Sequence, residues 1–322
     1  DIHAAWHYTH NTDRAKYFIE KEQRWYDWLS YNAVREPDDS GFTLNRAIET
    51  RQKTATLEEY RTNLGGPEWK TSGNLHTTAL SEHVELARAF GRAISTCEQD
   101  IQNARKRLET TWPNVPPLDI GVFWAYTPYA FLHRHHIEWY PSTEQKETAT
   151  AQLPYIARNN FTHQRTDSRH PVTFTYIRRP NYYAAFNAGH QLSPQQRYGL
   201  GLLYHPKIGS VLQSQTNTTD AAWGTSINGT LYEASDLQAQ FQINTNSITP
   251  QVGAHDLPEG DFEVTYPLGE SGNKTTLFTN DAIDVAVQHT GTFTEIIPLL
   301  KKPSDTLQTN NNQLTLNREN VT

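Results

Sequence analysis

The spacing of apolar residues changes once along the chain, from a helical period to an alternating one. In the first third, apolar residues recur at steps of three, four or seven, as on one face of an α-helix. The longest such stripe, within 77–111, consists of Leu80, Val84, Ala87, Phe90, Ile94, Ile101 and Leu108. Asp13 can cap an earlier helix, and Pro113 ends the long one. The pattern predicts an α-helical domain over residues 1–150.

After Leu153 the pattern is typical of short strands. Runs rich in β-branched and aromatic residues are separated by Gly, Pro, Asn and Asp. These runs are 172–177, 182–186, 209–214, 239–243, 262–266, 274–278, 283–287 and 292–296. Such strands predict an antiparallel β-sandwich over residues 151–322. Helices followed by strands indicate an α+β protein of two domains rather than an alternating α/β fold.

Composition excludes several classes of protein. The 322 residues carry a formal net charge of -7, which argues against nucleic-acid binding through bulk positive charge. Mean hydropathy is -0.72, and no apolar run approaches the roughly 20 residues of a membrane span. Cys97 is the single cysteine, so no internal disulfide can form. Because the chain begins with Asp1 and contains no Met, we expect a processed protein or part of a longer one.

Five N-x-[ST] sequons fall in the strand-rich half, at Asn160, Asn217, Asn228, Asn273 and Asn320. They indicate either glycosylation of a secreted eukaryotic protein or an Asn- and Thr-rich β-surface of a bacterial one. Both interpretations are compatible with a location outside the cytoplasm, so we expect a secreted or periplasmic protein.

Histidines cluster at two places in the first 150 residues. His3, His7 and His10 have a spacing that could bind metal on one helix face, but no acidic residue lies in register. A divalent metal is therefore possible but not indicated, and no cofactor is identified. The second cluster, within 131–140, includes Arg134 and His135, which could line an interdomain cleft and hold a carboxylate. The alternative is a solvated connector.

The segment 176–209 carries the most informative residues. It predicts two strands joined by a long polar loop that holds His190, Gln196, Arg197 and Tyr198, followed by a turn at His205. Such a loop places titratable groups at the rim of a sheet, where a cleft could close.

This segment resembles the start of the sheet domain in heparinase II/III-type polysaccharide lyases. The resemblance rests on an R-R-x-x-Y-Y-x-x-F strand at 178–186, its polar loop, and late strands at 272–287 and 291–295. It implies an incomplete α/α toroid followed by a β-sandwich, and degradation of a uronic-acid polysaccharide. The chain departs from the family in the loop, which has His190 but no Asp.

The resemblance also implies roles for particular residues. A β-eliminating lyase must neutralise the uronate carboxylate and supply a base and an acid. We expect proton transfer by His190, Tyr198 or His205. Substrate binding is expected from Arg134, His135, Tyr183, Asn187, Gln196 and Arg197. Tyr182 and Tyr183 alternate faces in a strand, so only one can face a cleft. For all of these, sheet packing is the alternative.

The expected partner is an acidic polysaccharide or oligosaccharide, with no nucleic acid and no membrane span. Two other functions stay open. One is carbohydrate binding without catalysis, which the missing Asp of the loop favours. The other is glycoside hydrolysis by paired carboxylates, drawn from Glu138, Asp220, Glu233 and Asp236.

Overall fold

The structure is a computed structural model of the 322-residue chain. It describes residues 27–37, 42–47, 148–167, 169, 171–190, 196–214, 221–270, 272–302 and 304–318, apart from 29, 46 and 149. The chain divides into two compact units. One comprises Asp1–Val34, Ser40–Phe42 and Arg61–Ala157, and the other Arg35–Asp39, Thr43–Tyr60 and Arg158–Thr322.

Strands dominate the described residues. The elements in chain order are β1 (Ala33–Arg35), β2 (Phe42–Leu44), α1 (Pro154–Ala157), β3 (Phe161–Thr166), β4 (Val172–Arg179), β5 (Tyr182–Gly189), β6 (Gly199–His205), β7 (Gly209–Gln213), β8 (Gly224–Ile227), β9 (Thr230–Leu231), a 3-10 turn (Tyr232–Ala234), β10 (Gln240–Ile243), β11 (Asn246–Ile248), β12 (Gly253–Asp256), β13 (Phe262–Pro267), β14 (Gly272–Phe278), β15 (Ile283–His289), β16 (Thr294–Ile296), β17 (Thr306–Asn310) and β18 (Gln313–Asn317). All eight strand-forming runs found in the sequence overlap strands, although β16 covers only the last three residues of the run 292–296.

The second unit contains a β-sandwich of two large antiparallel sheets. A six-stranded sheet has the order β12-β3-β4-β5-β6-β7, and a five-stranded sheet has the order β11-β10-β13-β14-β15. Apolar side chains of both sheets form one core, with Phe186 of β5 against Tyr266 of β13 and Phe278 of β14. Burying these aromatic rings supplies much of the drive for the two sheets to pack.

Three smaller sheets account for the other described strands. β16, β8 and β9 form a three-stranded sheet, β1 pairs with β2, and β17 with β18. The β17–β18 hairpin is anchored by Arg318, whose guanidinium binds the Asp305 carboxylate and the carbonyls of Ile208, Ser210 and Leu300. No helix within the described ranges has the length and apolar character needed to cross a membrane.

The predicted α+β fold with an N-terminal helical toroid is wrong. The described residues are mostly in antiparallel strands, and their helical segments are short runs near 27–32 and 148–157, one 3-10 residue at Ala47 and the 3-10 turn at Tyr232–Ala234. The helix predicted over 77–111 lies outside the described residues. The proposed boundary near residue 150 stays a prediction.

The six-stranded sheet has two different faces. Alternation along β5 directs Tyr182, Ala184, Phe186 and Ala188 into the sandwich core. The intervening residues, 183, 185 and 187, therefore lie on the opposite side, which we call the second face. They are also fully buried. A strand that is buried on both faces leaves no side for ordinary solvated polar residues, so polar groups on the second face need a specific reason to be there.

Candidate functional site

A row of polar side chains crosses the second face. Arg178 of β4 lies opposite Tyr183 of β5, which lies opposite Tyr204 of β6, which lies opposite Ser210 of β7. Residues directly opposite each other in antiparallel strands share a face and lie close together. All four are at most 7% exposed. The register thus gathers a guanidinium, two phenols and a hydroxyl from four strands.

Arg178 is held in place by the backbone of its own hairpin. Its Nη1 donates to the carbonyl of Tyr182 at 3.1 Å and to the carbonyl of Arg179. Burial lowers its pKa, and the neighbouring Tyr204 and Tyr183 oppose that shift. An arginine stays protonated in proteins, so the row carries a fixed positive charge.

Tyr204 stays a neutral phenol over the physiological range. Burial raises its pKa to about 12, and Glu36 adds to this effect against the opposing charges of Arg178 and Arg35. Glu36 itself is buried and accepts hydrogen bonds from the Thr43 hydroxyl at 2.6 Å and the Ser210 amide at 3.3 Å. Tyr204 is therefore equipped to donate a proton or a hydrogen bond rather than to act as a base.

An oriented histidine lies on the same face. His163 of β3 is opposite Asp256 of β12 and Tyr176 of β4. Its Nδ1 lies 2.8 Å from Asp256 Oδ1, and its ring stacks on Tyr176 with centroids 6.3 Å apart. A carboxylate at Nδ1 fixes the tautomer, so that the lone pair of the neutral ring is on Nε2.

Asp256 keeps a negative charge at neutral pH. Burial acts to raise its pKa, but the hydrogen bond with His163 and the charge of Arg158 outweigh burial and lower it. Arg158 Nη1 lies 2.9 Å from Asp256 Oδ2. The Arg158–Asp256 ion pair therefore holds the His163 ring in its orientation, through the Asp256 carboxylate at the half-exposed edge of the sheet.

Asn187 is the least satisfied group of the second face. It lies between Phe174 and Gly199 in the register and is fully buried. Within the described part of the chain, neither its Oδ1 nor its Nδ2 has a hydrogen-bond partner. A buried polar group left unpaired costs about 1–3 kcal/mol, and such groups are rare in native proteins. An amide in this position is suited to a ligand that completes its hydrogen bonds.

The structure brings two of the residues selected from sequence, Tyr183 and Asn187, onto one strand face. His190 follows β5 and has an exposed side chain, and its Nδ1 lies 2.8 Å from Asp236 Oδ2. The Tyr198 ring belongs to the sandwich core, and its hydroxyl donates to the carbonyl of His190. The contact between Tyr198 and His190 joins the two ends of the polar loop.

The other selected residues lie apart from this row or outside the described residues. Buried Gln196 and Arg197 precede β6, and Arg197 Nη1 donates to the Gln196 carbonyl at 2.9 Å. His205 accepts from the Lys207 amide at Nδ1, and burial, followed by Lys207 and Arg178, lowers its pKa. Arg134 and His135 fall outside the described residues. Their proposed roles stay predictions.

Four residues of the second face were not selected from the sequence: His163, Arg178, Tyr204 and Asp256. Arg178 was noted only as part of a strand motif, and Asp256 lies 93 positions from His163. Only the register of β12, β3, β4, β5 and β6 brings them to one face. Glu233, a candidate hydrolytic carboxylate, is instead fully buried and paired with Lys274. In the described part of the chain, no three His, Cys, Asp or Glu side chains form a possible metal site.

No protein-family model, curated protein or solved structure matches this chain. The inferred membership of the heparinase II/III-like family is therefore wrong. The R-R-x-x-Y-Y-x-x-F run forms two paired strands, β4 and β5, with Pro180 and Asn181 in the turn. Aromatic residues and a Pro-Asn turn are ordinary features of β-hairpins, so the run has little power to identify a family.

Proposed function

We propose that the second face binds an acidic polysaccharide or oligosaccharide outside the cytoplasm and cleaves it at a uronate by β-elimination. The observation that carries the proposal is the row of Arg178, Tyr183 and Tyr204 on adjacent strands. A cation beside two phenols supplies the kinds of group that this reaction needs.

The first requirement is to bind the uronate and stabilise the charge that develops on its carboxylate. Arg178 supplies the positive charge, and its guanidinium is fixed by the hairpin carbonyls before substrate arrives. The Asn187 amide adds a donor and an acceptor for the carboxylate or a neighbouring hydroxyl. Fixed donors stabilise developing charge without the cost of reorganising water.

The second requirement is a base and an acid. In the proposal, Tyr183, which lies between Arg178 and Tyr204 in the register, removes the proton α to the carboxylate. Tyr204 protonates the oxygen that leaves C4. With its pKa raised to about 12, the phenol keeps its proton until negative charge develops on that oxygen.

Carbohydrate binding without catalysis is the second candidate function. It is favoured by the same raised pKa of Tyr204, since a buried phenol that holds its proton is also a plain hydrogen-bond donor. Stacked aromatic side chains such as His163 and Tyr176 can contact sugar rings. This alternative predicts binding with no product.

The experiment measures binding and turnover separately. Polymers of 1,4-linked uronic acids and glycosaminoglycans are incubated with the protein, and unsaturated uronate is followed by its ultraviolet absorbance. Tyr204→Phe should lower turnover about 10²–10⁴-fold while binding persists, because it removes only the acid. Arg178→Gln should weaken binding itself. Tyr232→Phe, which alters a half-buried tyrosine away from the second face, is the control.

The outcomes separate the hypotheses. Binding with no product from any polymer supports the carbohydrate-binding alternative. If the protein neither binds a polymer nor releases an unsaturated product, both functions are contradicted. If His190→Gln abolishes turnover while Tyr204→Phe does not, the polar loop rather than the second face is the catalytic site.

A further inference from the structure

A second polar cluster lies inside the sandwich and has no part in the proposed reaction. It is built from Lys274 of β14, Glu233 of the 3-10 turn, Glu295 of β16, Thr225 of β8 and Tyr266 of β13. The side chains of Lys274 and Glu233 are 0% exposed, and that of Glu295 is 22% exposed. Charged groups are rarely buried to this extent, so the arrangement of the cluster requires an explanation.

The Lys274 ammonium is surrounded by acceptors. Its Nζ lies 3.3 Å from Glu233 Oε1 and 3.1 Å from the Thr225 hydroxyl, and it contacts Glu295 Oε1. It also lies 3.6 Å from the centroid of the Trp223 ring. The Lys274 amine is thus held against two carboxyl groups on one side and an aromatic face on another, with its three hydrogens directed at named oxygens.

The two carboxyl groups differ in their surroundings. Glu295 Oε2 accepts the Thr225 hydroxyl at 2.7 Å. Glu233 accepts the Tyr266 hydroxyl at 2.6 Å and the Thr225 amide at 2.8 Å. Burial raises the pKa of Glu295, and the opposing charge of Lys274 offsets only part of this. Burial therefore favours the neutral acid at Glu295, while two hydrogen-bond donors are directed at the Glu233 carboxyl.

We propose that Lys274 and Glu295 condense into an amide that covalently joins β14 to β16, with Glu233 as the proton carrier. Glu233 takes a proton from Nζ, and the amine attacks Cδ of the protonated Glu295. The new bond is Nζ–Cδ and the bond that breaks is Cδ–O. Glu233 returns its proton to the leaving hydroxide, which becomes water, and then accepts the second proton that Nζ loses. An ammonium, the Glu295 carboxylic acid and the Glu233 carboxylate thus become one amide, one water and a neutral Glu233, with no change in net charge and no oxidant.

Three features of the site favour this reaction. The strands hold the reacting groups in contact, and well-oriented intramolecular reactions reach effective concentrations of about 10⁵–10⁸ M. The Thr225 hydroxyl, hydrogen-bonded to Glu295 Oε2, polarises the carbonyl and stabilises the oxyanion that forms during attack. Burial excludes the water that would reverse the reaction, while the partly exposed side of Glu295 gives the released water an exit.

The test is the intact mass of the denatured wild-type protein. The proposal expects a mass lower than that of the sequence by one water molecule. After proteolysis, tandem mass spectrometry should identify a branched peptide that joins the segments containing Lys274 and Glu295. A wild-type protein with the full sequence mass, both fresh and after prolonged storage, overturns the proposal.

Variants establish which residues react. Glu233→Gln keeps the shape of the site but removes the proton carrier, so it should retain the full sequence mass. Lys274→Arg keeps the charge but cannot form this amide, and it should also retain the full mass. A water deficit that persists in Lys274→Arg, or that maps to other residues, overturns the assignment even if wild type shows it.

Discussion

Two buried polar clusters of the same unit differ in how their hydrogen bonds are satisfied. In the core cluster, Lys274, Glu233 and Glu295 bind one another, and Thr225 and Tyr266 complete the remaining contacts. On the second face, Asn187 is equally buried, yet within the described residues its amide has no hydrogen-bond partner. One cluster is complete in itself, and the other is not.

The difference distinguishes buried polar groups that stabilise the fold from buried polar groups that could bind a ligand. A satisfied network can fix strand positions, because removing one partner leaves the others buried and unpaired. A buried amide without hydrogen-bond partners lowers the stability of the fold, so a ligand that completes its hydrogen bonds would explain its presence. Substitutions in the core cluster should accordingly lower stability, whereas substitution of Asn187 should abolish binding without lowering stability.

The largest expected effect is in the core cluster. Lys274→Met removes the nitrogen that contacts Glu233 and Glu295, and with it the amide proposed above, and leaves the fully buried Glu233 carboxyl without Lys274. The free energy of unfolding should fall by about 3–5 kcal/mol. Denaturant titration followed by tryptophan fluorescence measures the change. Lys301→Met, at an exposed position, should have little effect. Equal stabilities of the two variants would contradict a structural role for the cluster.

The second effect has the opposite sign. Asn187→Leu replaces an unpaired amide by an apolar group of similar size, so stability should stay equal or rise by about 1 kcal/mol while glycan binding is lost. Thr276→Val is the matched control, because its buried hydroxyl also has no partner in the described structure but lies in the five-stranded sheet. It should gain similar stability and keep binding. A destabilised Asn187→Leu that binds normally would show that the amide is structural.

The smallest effect concerns the edge of the second face. The pKa of Asp256 is lowered from its ordinary 3.8, so its contribution to stability is complete above that value and is lost as pH falls through the lowered pKa. Because Asp256 is 47% exposed, solvent screening limits the contribution to below about 1 kcal/mol. Asp256→Asn should therefore reduce stability slightly at neutral pH, and the stability of this variant should change less with pH than that of the wild type.

Unfolding curves of wild type and Asp256→Asn between neutral and strongly acidic pH measure this effect. The two curves should converge at the acid end, where the wild-type carboxyl is protonated. Asp281→Asn, in an exposed turn, is the control. A difference that grows on acidification would mean that the Asp256 carboxylate does not stabilise the folded state.

The strands were predictable from sequence, and the site was predictable only in part. The runs at 172–177, 262–266 and 274–278 coincide with β4, β13 and β14 because strand propensity and alternation are local properties. Alternation also separates Tyr182 from Tyr183, and the structure places only Tyr182 in the hydrophobic core of the sandwich. The sequence selected the loop residue His190 as a titratable group. In the structure its side chain contacts Asp236, and its carbonyl accepts the Tyr198 hydroxyl.

The family resemblance failed for a related reason. Its motif consists of residues that any amphipathic β-hairpin uses, so it describes β4 and β5 correctly without indicating ancestry. The helical period of the first third likewise describes which residues could share a face. It carries no information on how helices would pack into a toroid.

The sequence by itself determined the positions of the strands and the presence of charged residues within strand-forming runs. Only the tertiary structure decided which of these residues meet. Asp256 reaches His163, and Lys274 reaches Glu233 and Glu295, through pairings between segments far apart in the chain. Register is a cooperative property of a whole sheet, since a shift by one residue would move every side chain to the other face.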